Sequence, residues 1–365
     1  MKNAGIFAAK ETPLILAAVS AVLMVVFGNA LTSVDTAPVT LLLVFVWLFV
    51  VILAAAFGVV RHAEVLAHTY GEPFGTLILT LSVIGIEVIM IATMMVTGDP
   101  DPSAARDTMY SVIMIVINGL IGLALILGGL RHGEQSHNLK SSNSYFSMIL
   151  TIVGLGLLVP IFIPAARLPG YEIVLMMISF GLYAVFLRMQ TKGHRSFFVN
   201  EAGTPSADSH SVEDLGVPAW LHGVLLLGTL LLLVLLAKSL ALVIDHGGTI
   251  IGAPAGLDGL IIAILILAPE GLAAIRAGRR NDMQQVVNIC LGSVLATVAM
   301  TIPVVLIVGM ILELKLTLGL TPIQAVLVAV TLLVGMNTYR LGETNILQGV
   351  IHFALFAAFV ALIFL

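Results

Sequence analysis

Residues 261–276 read IIAILILAPEGLAAIR: eight apolar residues, then a proline, a glutamate and a basic end. An ionisable side chain at the depth of a membrane span costs on the order of 3 kcal/mol even on the mildest scales, so an acid kept there points first to function. The composition supports reading the stretch as a span. The 365-residue chain is 59% hydrophobic and only 10% charged, with a mean hydropathy of +1.13, beyond what a water-soluble core uses.

A span-length window places helices at 12–30, 38–60, 73–97, 109–130, 146–166, 171–188, 217–244, 257–276, 286–311, 321–338 and 346–365. These long apolar runs describe an all-α polytopic membrane protein rather than the period-two alternation of a lipid-facing barrel. The first run follows Lys2 and Lys10 like a signal peptide, but it is long and no A-x-A-type site follows, so it is read as a retained span. With the N-terminus inside, twelve of the sixteen lysines and arginines fall on cytoplasmic segments and four outside. The positive-inside rule then puts the N-terminus in the cytoplasm and the C-terminus outside. Cys290 stands alone, which leaves no disulfide framework and no CxxC pattern. No basic patch with interleaved aromatics suggests a nucleic-acid partner.

The chain divides into a leading helix (1–37), five helices (38–189), a linker rich in Gly, Ser, His and acids (190–216), and five more helices (217–365). Five is odd, so the two halves enter the membrane in opposite directions, which is the inverted-repeat plan of many secondary transporters. Eighteen of the twenty acids fall in loops or helix ends, leaving Glu87 and Glu270 at depth. Each lies in the second helix of its half, and aligning LILTLSVIGIEVI (77–89) with IIAILILAPEGLA (261–273) brings them close in register. Gly85 precedes one and Pro269 the other, and both residue types loosen a helix. The next helix of each half is also polar at comparable depth, with Asn118 and Gly119 in one and Asn288, Gly292, Ser293 and Thr297 in the other. Ser293 and Thr297 fit helix packing as well as ligation, whereas the costlier amide of Asn118 favours ligation.

Two histidine-bearing stretches, RHAEVLAH (61–68) and RHGEQSH (131–137), place His62, Glu64 and His68, then His132, Glu134 and His137, at cytoplasmic helix ends. Neither spacing is a zinc motif, so solvated interfacial ends are expected, with a pH or metal sensor as the other reading. GDPDPSAARD (98–107) reads as a turn.

The stretch RHAEVLAHTYGEPFGTLILTLSVIGIEV (61–88) and the stretch APEGLAAIRAGRRNDMQQVVNICLGSVLATVAMTIP (268–303) resemble the two α-repeats of the bacterial calcium/proton antiporters, in the cation/calcium exchanger superfamily. The resemblance implies eleven helices in the bacterial inner membrane, an inorganic cation and protons as partners, and no cofactor. It implies a central cation site with Glu87 and Glu270 as its acids and Gly292 and Ser293 as the small polar pair of the second repeat. Ile117 and Asn118 stand where the first repeat would carry that pair. Calcium takes six to eight oxygens, which carboxylates, Asn118, Ser293, loosened backbone carbonyls and water can supply. Protons compete for the same carboxylates, and competition combined with alternating access is antiport. A sodium or potassium/proton antiporter on the same scaffold is the alternative. Among other classes, a membrane-embedded enzyme would pair its acids with basic residues, and a passive channel needs no inverted halves.

Overall fold

The computed structural model describes residues 11–33, 36–71, 74–97, 102–190, 217–254, 256–314 and 316–365. Residues 191–216 of the expected linker, residues 98–101 of the turn, and Lys2 and Lys10 lie outside the described residues. Among the described residues there are eleven helices: α1 (Thr12–Leu31), α2 (Pro38–Tyr70), α3 (Phe74–Val96), α4 (Ala104–His132), α5 (Leu139–Phe162), α6 (Ala165–Arg188), α7 (Ala219–Ile251), α8 (Leu257–Arg279), α9 (Met283–Ile311), α10 (Pro322–Thr338) and α11 (Ile346–Ile363). Nine have the length and apolarity to cross a membrane, and the apolar stretches Thr80–Val96 and Pro322–Thr338 are shorter. The chain is an integral membrane protein.

Every helix meets one expected from the sequence, but several ends move. α2 continues to Tyr70 and α7 to Ile251, each 33 residues long. Pro38 starts α2 where a missing N–H costs nothing. Thr321 with Gln324, and Asn345 with Gln348, close capping boxes at the starts of α10 and α11. Helices widen locally into π turns at Met114–Leu120 in α4, Gly154–Leu158 in α5 and Thr297–Thr301 in α9. The structure also adds a small departure from an all-helical chain. Strands β1 (Gln135–Ser136) and β2 (Glu343–Thr344) pair antiparallel and tie the segment after α4 to the one before α11.

The chain forms two compact units, one drawn from Met1–Ala104 and His210–Pro269, the other from Ala105–Ser209 and Glu270–Leu365. Each unit therefore takes segments from both sequence halves. In the first, α2 and α7 bury Leu48, Ile52, Ala55, Leu233 and Leu236 in one core. Trp47 Nε1 donates to Ser20 Oγ at 3.1 Å and fastens α1 to α2. At one end of this unit Arg61 donates to Glu11 at 2.6 Å, and His62 Nδ1 lies 3.0 Å from His222 Nδ1. His62 is 1% exposed, so it is a buried inter-helix contact and not the solvated end expected from its sequence position. In the second unit α4 and α11 cross almost backbone to backbone. A Cβ on Gly122 would come 2.9 Å from the Phe353 nitrogen, and one on Gly349 would come 2.8 Å from the Ile126 nitrogen. Only glycine at both positions allows that approach.

Candidate functional site

α3 and α8 are both 23 residues long. Counted from Phe74, Glu87 is the fourteenth residue of α3, and counted from Leu257, Glu270 is the fourteenth of α8. Glu87 is buried, as are Ile86 and Met90 beside it in the first unit's core. Polar hydroxyls on α3 bond within the helix: Ser82 donates to the Ile78 carbonyl and Thr93 to the Ile89 carbonyl, each at 2.7 Å. Gly85, two residues before Glu87, faces the Leu230 side chain, whose methyls lie 3.9 Å from where a Cβ would stand.

Glu270 follows Pro269 inside a continuous helix. Proline has no N–H, so the carbonyl of Leu265 lacks its usual donor four residues on. Ser293 Oγ donates to Glu270 Oε2 at 2.5 Å, and both residues are partly accessible. The next residue, Gly271, leaves room for α4: a Cβ there would come 2.9 Å from Leu120 Cδ2. Gly292 keeps a gap for the Tyr145 hydroxyl, 3.6 Å from its virtual Cβ. Tyr145 is fully buried, and sequence reasoning did not single it out. Thr297 is buried at the start of the α9 π turn. Asn288 accepts from Gln284 Nε2 at 3.0 Å within α9, and the same nitrogen reaches Ser141 Oγ of α5 at 3.0 Å, so Gln284 joins the two helices.

Asn118 sits in the π turn of α4 and is 0% exposed. Its Nδ2 donates to Thr331 Oγ1 at 2.8 Å, and its Oδ1 lies 3.0 Å from His352 Nδ1. α4 and α9 are both 29 residues long. Counted from their starts, Asn118 and Thr297 are each fifteenth, while Ser293 is eleventh and shares that place with Met114. The resemblance set Asn118 against Ser293, and counted from the helix starts their places differ by about one turn.

In sum of position, the structure brings Glu270 to Ser293 and Asn118 to Thr331 and His352 within the second unit, and it carries Glu87 and Gly85 in the first. His132 is exposed, with Nε2 3.1 Å from the Arg279 carbonyl. His137 is buried, with Nε2 3.4 Å from the Tyr339 carbonyl. Burial lowers the His137 pKa below its ordinary 6.5, and the bond to that carbonyl offsets part of the drop. Among the described residues no three His, Cys, Asp or Glu side chains come together as a metal site. A cavity of about 540 Å³ in the first unit is lined by segments of α2 and α7 and the start of α8, with Asp245 and Asp258 among mostly apolar groups, and contains neither glutamate.

The family profile described as sodium/calcium exchanger protein matches residues 40–191 and 221–365. The sodium-potassium/proton antiporter ChaA of Escherichia coli is 37% identical over 359 residues, covering 97% of this chain and 96% of that protein. Among solved structures, YfkE aligns at a TM-score of 0.74 with 18% identity, over 96% of this chain and 99% of that one. The H+/Ca2+ exchanger CAX aligns at 0.69 with 13% identity, over 99% and 89%. At such identities these two likenesses speak for the fold.

Proposed function

The chain belongs to the sodium/calcium exchanger protein family and is a cation/proton antiporter, and within that family we propose that it exports calcium in exchange for protons by alternating access. The observation that carries the reading is the matched position of Glu87 and Glu270, each fourteenth in a helix of 23 residues. The flanking helices match in length as well, 33 residues for α2 and α7 and 29 for α4 and α9. These equal lengths support two copies of one five-helix plan in opposite orientation, preceded by α1. The lysine and arginine distribution supports a cytoplasmic N-terminus and an outside C-terminus in the bacterial inner membrane.

In this reading the cation is cargo, and the two carboxylates balance its charge. Ser293 and Asn118 add neutral oxygens, and the Leu265 carbonyl freed by Pro269 is a further oxygen of the kind a hard cation takes. Without the cation, a proton on each carboxylate removes the cost of a bare charge at depth, so loading one species unloads the other. Ser293 suits both states, since its hydroxyl donates to a carboxylate and turns its lone pairs to a cation.

A second reading, sodium or potassium in place of calcium, is favoured by the similarity to a sodium-potassium/proton antiporter. The test is transport by purified protein in proteoliposomes under an imposed pH gradient, with calcium, sodium and potassium offered one at a time. Calcium flux that collapses the gradient is the expected result. Flux with sodium or potassium alone would select the second reading, and cation flux without proton movement would reject both.

A further inference from the structure

His352 is the seventh residue of α11 and is 0% exposed, among apolar residues where an imidazole has to find partners within the protein. It finds two. Nδ1 lies 3.0 Å from Asn118 Oδ1, and Nε2 lies 3.0 Å from Thr338 Oγ1. Asn118 Nδ2 then donates to Thr331 Oγ1 at 2.8 Å, and the Thr331 hydroxyl lies 3.5 Å from Met114 Sδ. The crossing of Gly122 and Gly349 makes this possible, because it brings α11 so close to α4 that the His352 Cβ lies 3.2 Å from where a Gly122 Cβ would be.

With a neutral imidazole the donors run one way along the file: the Thr338 hydroxyl to Nε2, Nδ1–H to Asn118 Oδ1, Asn118 Nδ2 to Thr331, and the Thr331 hydroxyl to sulfur. The carboxamide cannot turn over unless the imidazole moves its proton to the other nitrogen and both threonine hydroxyls rotate. One bond to His352 therefore decides which face of the Asn118 amide holds the oxygen, and it occupies only one of that oxygen's two lone pairs.

We propose that His352 is a positioning residue for cation binding: it holds the Asn118 carboxamide so that an oxygen lone pair, rather than the NH2 group, is available to the transported cation. This rests on Asn118 serving the cation, as proposed above. His352 itself touches no cargo. Its role differs from that of the glutamates, since it exchanges neither proton nor cation and acts on affinity alone.

The test is calcium transport by full-length protein in proteoliposomes, reading Km and maximal rate separately for Asn118→Ala, His352→Leu, His352→Asn, His352→Gln and the Asn118→Ala/His352→Leu double variant. An asparagine at 352 puts an NH2 near the place of Nδ1, whereas a glutamine puts it near Nε2. His352→Leu is expected to raise Km by about the same factor as Asn118→Ala, roughly ten-fold, with a smaller change in maximal rate. The double variant should be no worse than Asn118→Ala alone. His352→Asn should return Km to within about two-fold of the parent, and His352→Gln should not. An unchanged Km in His352→Leu beside a raised Km in Asn118→Ala overturns the positioning role and leaves the ligand reading standing. An unchanged Km in Asn118→Ala overturns the ligand reading, and the positioning role with it. If His352→Leu does not fold, the two amide variants decide, and equal Km values for them overturn the proposal.

Discussion

α4 and α9 share a length, each widens into a π turn, and each follows a helix with a glutamate at its fourteenth residue, yet they hold their polar groups in opposite ways. Asn118 of α4 is buried in a file of side chains from α10 and α11, with a hydrogen bond at each heteroatom and one lone pair of its oxygen left over. Ser293 of α9 is partly accessible and bonds directly to the acid of the preceding helix. On the proposed reading the two helices offer two kinds of ligand, a rigid amide whose aim is set from outside and a hydroxyl that follows its carboxylate.

The sharpest way to break the comparison is to neutralise each acid. Glu87→Gln and Glu270→Gln should each lower pH-driven cation exchange by about 100-fold or more, since each removes a charge and a proton site, while the protein still folds. Near-normal exchange in either variant would remove that glutamate from the coupling and end the equivalence of the halves. At the next level, Asn118→Ala should raise the Km for calcium about ten-fold, which is about 1.4 kcal/mol if Km tracks affinity. Ser293→Ala should raise it only about three-fold, because water can replace a hydroxyl at a partly accessible place. Equal small changes would return both residues to helix packing.

Glycines sharpen the same contrast through stability. Gly122→Ala puts a methyl against the Phe353 nitrogen, a backbone atom that cannot step aside, and should cost about 1–3 kcal/mol. Gly292→Ala meets the Tyr145 hydroxyl only at ordinary contact distance and should cost less than about 1 kcal/mol. Thermal unfolding in detergent compares them. The smallest effect is expected at His137, whose folded pKa lies below its ordinary 6.5. As pH falls below that value the unfolded chain takes up the proton first, so the His137 contribution to stability is lost toward acid. His137→Asn should flatten the decline of melting temperature between about pH 6.5 and 5, and an unchanged slope would assign the acid sensitivity elsewhere.

Hydropathy made the eleven helices legible because the bilayer dictates span length and apolarity. It misplaced ends where polar residues have tertiary partners: α2 was expected to stop at 60, yet it continues past Arg61 and His62, which bond to Glu11 and His222. The two glutamates stand out in the sequence as site candidates because charge at depth is costly wherever its partners are. His352 and Thr331 were not, since a histidine or threonine in an apolar run gives no sign of a partner more than 200 residues away. The π turns and the β1–β2 pair leave no periodic signature at all. They follow from packing.

The central claim is that protons and cation compete for the same two carboxylates, and cation Km as a function of pH tests it most directly. In proteoliposomes with a fixed gradient, lowering the pH on the cation-loading side should raise Km by up to about ten-fold per pH unit for each competing proton, with maximal rate little changed. A Km that stays constant while maximal rate falls would mean that protons act at a separate place, and the shared role of Glu87 and Glu270 would be contradicted.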